Sequence, residues 1–409
     1  MIQPVSELNV GIDFGLGIQP VGRLAIRDRV IYFEYDGAFV SQGLQISPFR
    51  LPLQKGVIEL PLRPFEGLAG VFSDCLPDGW GRLLFDRMLR SHGVLPGSVS
   101  PLDRLAHVGT SGMGALVYEP DNGPSDVEGW VDLDDLALQT EQVLTGSSEE
   151  VIQELLALNG SSAGARPKAL IAVTADRRRI SYGAKNTDER FEHWLVKFPN
   201  SHEGKDSGAI EYVYALMAKE AGVEMPDAHL FPSRHGAGYF AVRRFDRDGN
   251  KRLHMHTASG LIHSDFRTPS LDYEDLLNLT GALTRDVREV EKVYRLAVFN
   301  VLSHNRDDHA KNFSFLMNEA GDWRAAPAYD LTFSSGPSGE QSTMVMGEGR
   351  NPGITHLVRL GREAKLSAIR INQVIEQTKE ALGHWKCLAT ENGVSRSNIN
   401  LIERTLNRK

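Results

Sequence analysis

The sequence predicts an α+β protein in which a small N-terminal α+β domain precedes two lobes, the second of them mainly helical. Three observations predict it. Residues 8–60 alternate polar and apolar positions between glycine-bearing turns. Strand-like runs then alternate with one amphipathic helix. After Asp286, apolar side chains recur at helical spacing. No apolar run approaches the roughly 20 residues of a membrane span. The opening Met-Ile-Gln-Pro-Val-Ser-Glu also lacks the basic-then-apolar order of an export signal, so a cytoplasmic protein with no membrane partner is expected. A net charge of −8 gives no general attraction to nucleic acid, which leaves any DNA contact local or indirect. Cys75 and Cys387 have no paired metal-ligand spacing and read as inert thiols.

Taken in order, Val21 to Arg27 and Val30 to Tyr35 are strands of the first sheet. Pro77-Asp78-Gly79-Trp80-Gly81-Arg82 opens a helix running to about Arg90. Turn formers over residues 120–130 separate this domain, residues 1–120, from a second part, residues 121–248. There Ser147 to Glu150 has capping-box spacing ahead of a helix that stops at Gly160. Ala169 to Val173 and His193 to Phe198 read as strands, and Tyr239 to Phe245 as another. Ser207 to Ala221 is helical, with Gly222 as its stop. In the last part, residues 249–409, a long helix follows Asp286 and ends near His304. Phe313 to Leu316 and Arg324 to Tyr329 flank Gly321 as a hairpin, and most of the remainder reads as helix.

Chemistry concentrates in Asn305-Arg306-Asp307-Asp308-His309-Ala310-Lys311-Asn312. Asp307 and Asn312 have the spacing of the Asp and Asn in a kinase catalytic loop, where a carboxylate takes the acceptor hydroxyl proton and an amide oxygen holds Mg²⁺. Lys311 lies between them, placed to neutralise charge on a transferred phosphate. Asp330, in Ala-Tyr-Asp-Leu, is a second Mg²⁺ ligand or, on the plainer reading, a helix N-cap. Upstream, Gly160 to Lys168 could wrap phosphates with backbone N–H groups, or simply join a helix to a strand. It matches neither common phosphate-loop template. Lys197, a cation in an apolar strand, needs an anion, and Glu211 on the following helix is the candidate. Arg243 to Arg247 is either an adenine hinge or a charged strand end. His254, His256, His304 and His309 give a weaker metal-hydrolase reading, because no paired His or Cys spacing is present. The order of glycine loop, lysine strand and helical lobe is that of a bilobal protein-kinase-like fold.

Collected, these residues make the sequence resemble the HipA family of bacterial serine/threonine kinases, toxins of HipBA-type toxin–antitoxin pairs. The resemblance runs through Phe72 to Arg82, Val108 to Leu116, Gly164 to Lys168, Trp194 to Phe198, Val242 to Arg247, Asn305 to Asn312 and Tyr329-Asp330. It implies Asp307 as catalytic base beside Lys311, Asn312 and Asp330 as Mg²⁺ ligands, and Lys197 as the ATP phosphate lysine. Ser161, Ser162, Ala163, Gly164, Ala165, Arg166 and Lys168 would form the nucleotide loop, with Ser161 or its neighbour Ser162 autophosphorylated. The resemblance places Arg243 and Phe245 at the hinge, and His309 joins the nucleotide-contacting set. It also implies ATP and Mg²⁺ as cofactors, a helix-turn-helix antitoxin of HipB type as partner with DNA reached through it, and an aminoacyl-tRNA synthetase as the class of protein substrate. Asp308 stands where many relatives carry a smaller residue, which suggests a changed acceptor side. A small-molecule phosphotransferase and a non-catalytic binding module are the alternatives.

Overall fold

The computed structural model describes residues 4–124, 129–146, 155–156, 158, 164, 166–182, 191–200, 204–268 and 270–407. The first unit holds β1 (Glu7–Asp13), β2 (Ile18–Arg27), β3 (Val30–Tyr35), α1 (Gly37–Gln42), β4 (Val57–Glu59), α2 (Gly70–Ser73), α3 (Gly79–Ser91), α4 (Pro101–Val108) and β5 (Leu116–Glu119). Its antiparallel sheet runs in the order β4-β3-β2-β1-β5, and its first strands are those the alternation over residues 8–60 predicts. One face buries Leu8, Val10, Leu24, Phe33 and Phe72 in a common core.

The second unit contains α5 (Leu133–Thr145), β6 (Lys168–Thr174), β7 (Ile180–Tyr182), β8 (Phe191–Lys197), α6 (Ser207–Glu220), β9 (Ala228–Phe231) and β10 (Tyr239–Arg243). The sheet order is β7-β6-β8-β10-β9. β6 pairs antiparallel to β8 with Lys168 opposite Lys197, which brings both lysines to one end of the sheet. The helix expected between Ser147 and Gly160 lies mostly outside the described residues, although Leu155, Leu156 and Leu158 are buried. The amphipathic α3 belongs chemically to this sheet as much as to its own. Its Trp80, Leu84, Phe85, Met88 and Leu89 share a core with Ile171, Trp194, Val196 and Tyr239.

The third unit comprises β11 (Arg247–Asp248), β12 (Lys251–Arg252), β13 (His254–Thr257), α7 (Ala258–Ile262), α8 (Tyr273–Thr284), α9 (Val287–Leu302), β14 (Ser314–Met317), β15 (Trp323–Ala325), α10 (Ile354–Glu363), α11 (Ala368–Gly383), α12 (Trp385–Glu391) and α13 (Arg396–Leu406). α9 begins at Asp286, whose carboxylate accepts the Arg288 N–H at 2.8 Å, and it buries Val293, Ala297, Val298 and Val301. His304, in the left-handed region at φ +60°, turns the chain into Asn305 to Asn312. Gly321, at φ +85°, turns β14 into β15. One expectation fails. Ala326 to Gly353 is irregular chain with short turns instead of helix, and helices resume only at Ile354.

The first unit is welded to the others by buried polar contacts. Asp246 is fully buried, receives Arg244 and Arg247, and accepts the Gly114 N–H at 2.7 Å. The strand end Arg243 to Arg247 is therefore a docking element for the first unit. His254 Nε2 lies 2.8 Å from the Ile46 carbonyl. His256 lies 2.6 Å from Asp74 on one side and 3.0 Å from Ser47 Oγ on the other. This Ser-His-Asp constellation is buried and serves packing, and both histidines of the metal-hydrolase reading are thus engaged by protein partners, His256 by Asp74 and Ser47 and His254 by the Ile46 carbonyl.

Candidate active site

The site is built where one end of the β6–β8 sheet meets the loop after α9. Lys197, the last residue of β8, is buried, as is Glu211 on α6, and the two form an ion pair. Asp330 Oδ1 completes the cage at 2.5 Å from Lys197 Nζ. Burial opposes the lysine's charge, but the Asp330 and Glu211 carboxylates outweigh it and hold its pKa above the ordinary value. Lys197 in turn keeps Asp330 well below the usual carboxylate range. Arg166 fixes the other Glu211 oxygen at 2.6 Å and donates to Ser207 Oγ at 2.9 Å, so Glu211 joins the glycine loop to the lysine strand. Lys168 carries no such surplus of carboxylates. Burial, then the neighbouring Lys197, pushes it down to about 8.

Across the cleft, the Asp307 side chain reaches solvent. Desolvation, with Asp330 adding to it, holds the carboxyl above its ordinary value against the pull of His309 and Lys197. Asn312 donates its amide nitrogen to the Asp307 carbonyl at 2.7 Å, which leaves its amide oxygen for a cation. The Tyr329 hydroxyl donates to the Lys311 carbonyl at 2.6 Å and packs its ring 5.6 Å from Phe245. Asp330 has φ +59° and no helix follows it, so the N-cap reading fails. The left-handed turn aims its carboxylate at Lys197 instead. Cations and carboxylates thus converge with an amide oxygen on one polar cleft, the donor set expected where phosphate and Mg²⁺ are held together.

Residues 160–385 match the family model described as HipA-like C-terminal domain, and residues 13–119 match the HipA N-terminal domain. The chain belongs to the HipA family. Among curated relatives, "Putative kinase Y4mE" of Sinorhizobium fredii (strain NBRC 101917 / NGR234) is 28% identical over 303 residues, covering 66% of this chain and 63% of that protein. This HipA-family chain therefore spans less than two thirds of that relative's length. Among solved structures, the Shewanella oneidensis MR-1 toxin–antitoxin system HipA, HipB and operator DNA complex contains a chain that is 16% identical, with a TM-score of 0.68. The match covers 97% of this chain and 95% of that one. At that identity the likeness is one of fold, and it makes the fold a bilobal, kinase-like α+β architecture.

Within this HipA-family site, the structure gathers Lys197, Asp307, Asn312, Asp330, Lys311, Arg166, Lys168 and Gly164. His309 borders it through its ring contact with Phe266 at 5.4 Å. Ser161, Ser162, Ala163 and Ala165 lie outside the described residues. The Arg243 guanidinium turns toward Glu192 and Asp248, and the Arg243 backbone N–H donates to the Asp227 carbonyl at 2.8 Å. Asp308, unlike Asp307, is withdrawn from solvent. It is buried among Tyr273, Gln341, Ser342 and Thr343, because its carboxylate accepts the donors these present. The sequence reading missed Asp78, which binds Lys311 at 2.7 Å. Its signal is an acid immediately before Gly-Trp-Gly, inside the Phe72 to Arg82 stretch that carries the resemblance and opens a helix.

Proposed function

We propose that this protein is an ATP- and Mg²⁺-dependent serine/threonine protein kinase acting as the toxin of a toxin–antitoxin pair. The observation that carries the reading is Lys197, held between Glu211 and Asp330 opposite Asp307 and Asn312. When bound, ATP supplies the phosphoryl group and Mg²⁺ the charge that steadies it. Lys197 would bind the phosphates, with Asn312 and Asp330 as the metal's protein oxygens. Asp307 would accept the proton of the acceptor hydroxyl. Its raised pKa makes it a better base than an ordinary aspartate, and activity should fall with acid from a higher pH than such a carboxyl would give. Family membership further supports a helix-turn-helix antitoxin of HipB type as partner, with DNA engaged through it. The proposed substrate is a translation component of the aminoacyl-tRNA synthetase class, with autophosphorylation at Ser161 or Ser162.

The test is incorporation of labelled phosphate from ATP by the parent and by Asp307→Asn, with calorimetry of Mg-ATP binding alongside. Asp307→Asn should lose on the order of 10²–10⁴-fold in rate and bind ATP with affinity near the parent's. An equal rate in both would overturn the assignment of the base. Phosphoprotein mapping in cells then separates protein acceptors from small molecules.

A further inference from the structure

Asp78 stands at the N-cap of α3, where an aspartate side chain ordinarily accepts N–H groups of its own helix, yet its carboxylate accepts none of them there. Its carboxylate is spent on two other elements. Oδ1 accepts the Gly164 N–H, and Oδ2 receives Lys311 Nζ at 2.7 Å. The next turn of the same motif adds a second grip, because the Trp80 N–H donates to the Gly164 carbonyl at 3.0 Å. The Trp80 ring is buried in the core beneath β6 and β8, so this grip has a fixed base. Gly164 itself is at φ +106°, a backbone conformation that residues with a Cβ rarely adopt, which favours glycine in the gripped position. The Asp78 and Lys311 side chains are only 19% and 10% exposed, so solvent screens their attraction weakly.

We infer that Asp78 is a positioning residue of the phosphotransfer site. It ties the Lys311 ammonium of the catalytic loop to the Gly164 backbone, so that Lys311 is placed through this grip. The first unit of the fold thereby finishes a site whose reacting groups all lie in the other two. The inference rests on the phosphotransferase reading, because Lys311 has a charge to place only if phosphate is handled there.

The experiment uses the full-length parent, Asp78→Asn, Lys311→Met and the double variant. It reads kcat for phosphate incorporation, hydrogen exchange at the Gly164 amide without nucleotide, and thermal unfolding. Asp78→Asn keeps the size of the side chain but has one acceptor oxygen and no charge, so it cannot serve both donors. Its kcat should fall by roughly 10- to 100-fold, with Gly164 exchanging about tenfold faster, and the unfolding curve checks that the variant is folded at the assay temperature. Because Asp78 acts through Lys311, the double variant should lose no more kcat than Lys311→Met alone, whereas a scaffold role would give additive losses. Additive losses, an unchanged kcat in Asp78→Asn or unchanged Gly164 exchange would each overturn the inference. A parent that transfers no phosphate would instead sink the kinase reading, and Gly164 exchange would still decide the grip on the loop.

Discussion

Asp308 and Asp307 are adjacent and chemically identical, yet the fold gives them opposite fates. Asp308 is 1% exposed and accepts from the Tyr273 hydroxyl at 2.7 Å, Gln341 Nε2 at 3.0 Å, Ser342 N–H at 3.0 Å and Thr343 N–H at 3.2 Å. Burial outweighs these donors and pushes its carboxyl up to about 7. A folded-state pKa above the unfolded one stabilises the protein fully below the unfolded value and loses that stabilisation as pH rises through the folded value. Between about pH 4, where the unfolded carboxyl titrates, and about pH 7, the parent's melting temperature should therefore drop relative to that of Asp308→Asn, which has no proton to lose at this position, and the difference should level off at higher pH. Melting curves at matched pH check this, and parallel profiles would show that Asp308 does not titrate there. The spacing of Asp307 to Asn312 was enough to single Asp307 out as the candidate base. It could not supply the burial of Asp308, because the groups that enclose it come from Tyr273 and Gln341 to Thr343, far along the chain.

At the scale of elements, the active site depends on α6 lying against the β6–β8 sheet, with Glu211 as the pin. Glu211 is 2% exposed and answers two cations, Lys197 and Arg166. Glu211→Gln keeps the volume and removes the charge, which leaves two buried cations short of a partner. Removing one member of a buried pair costs about 3–5 kcal/mol. Urea unfolding should therefore show a loss of about 3 kcal/mol, together with weaker Mg-ATP binding, and a loss under about 1 kcal/mol, the range of exposed pairs, would mean that the network is not what holds α6. The pairing of Lys197 with Glu211 was legible because strand and helix periodicity placed both residues and an apolar strand cannot leave a lysine alone. Arg166 as a third member was not, because its loop has no periodicity to orient a side chain. The irregular path from Ala326 to Gly353 had its signals in Gly336, Pro337, Gly339, Gly347, Gly349 and Pro352, which the helical pattern on either side obscured.

For the whole molecule, the decisive property is that the three units do not have three separate cores. Met317 and Trp323 of the third unit pack into the core of the first, and Trp80 and Phe85 of the first pack beneath the second sheet. Asp246 adds a buried ionic tie, joining Arg244 and Arg247 to the backbone of Gly112 and Gly114. Burial works against its charge, but the two guanidinium groups prevail and hold its carboxyl well below the ordinary range. With a depressed folded-state value, the tie's contribution is present above the unfolded pKa of about 4 and is lost as pH falls below it. Shared cores and a buried tie make cooperative unfolding the expectation, even at a length where chains usually divide into separately melting domains. Calorimetry of the parent near neutral pH should then record one transition. Asp246→Ala, which leaves two buried guanidinium groups without their carboxylate, should lower that transition by an amount equivalent to about 3 kcal/mol or more while keeping it single. Two resolved transitions in the parent would mean that the first unit is merely docked, and its hold on Gly164 and Lys311 through Asp78 would then be open to control by whatever binds that unit.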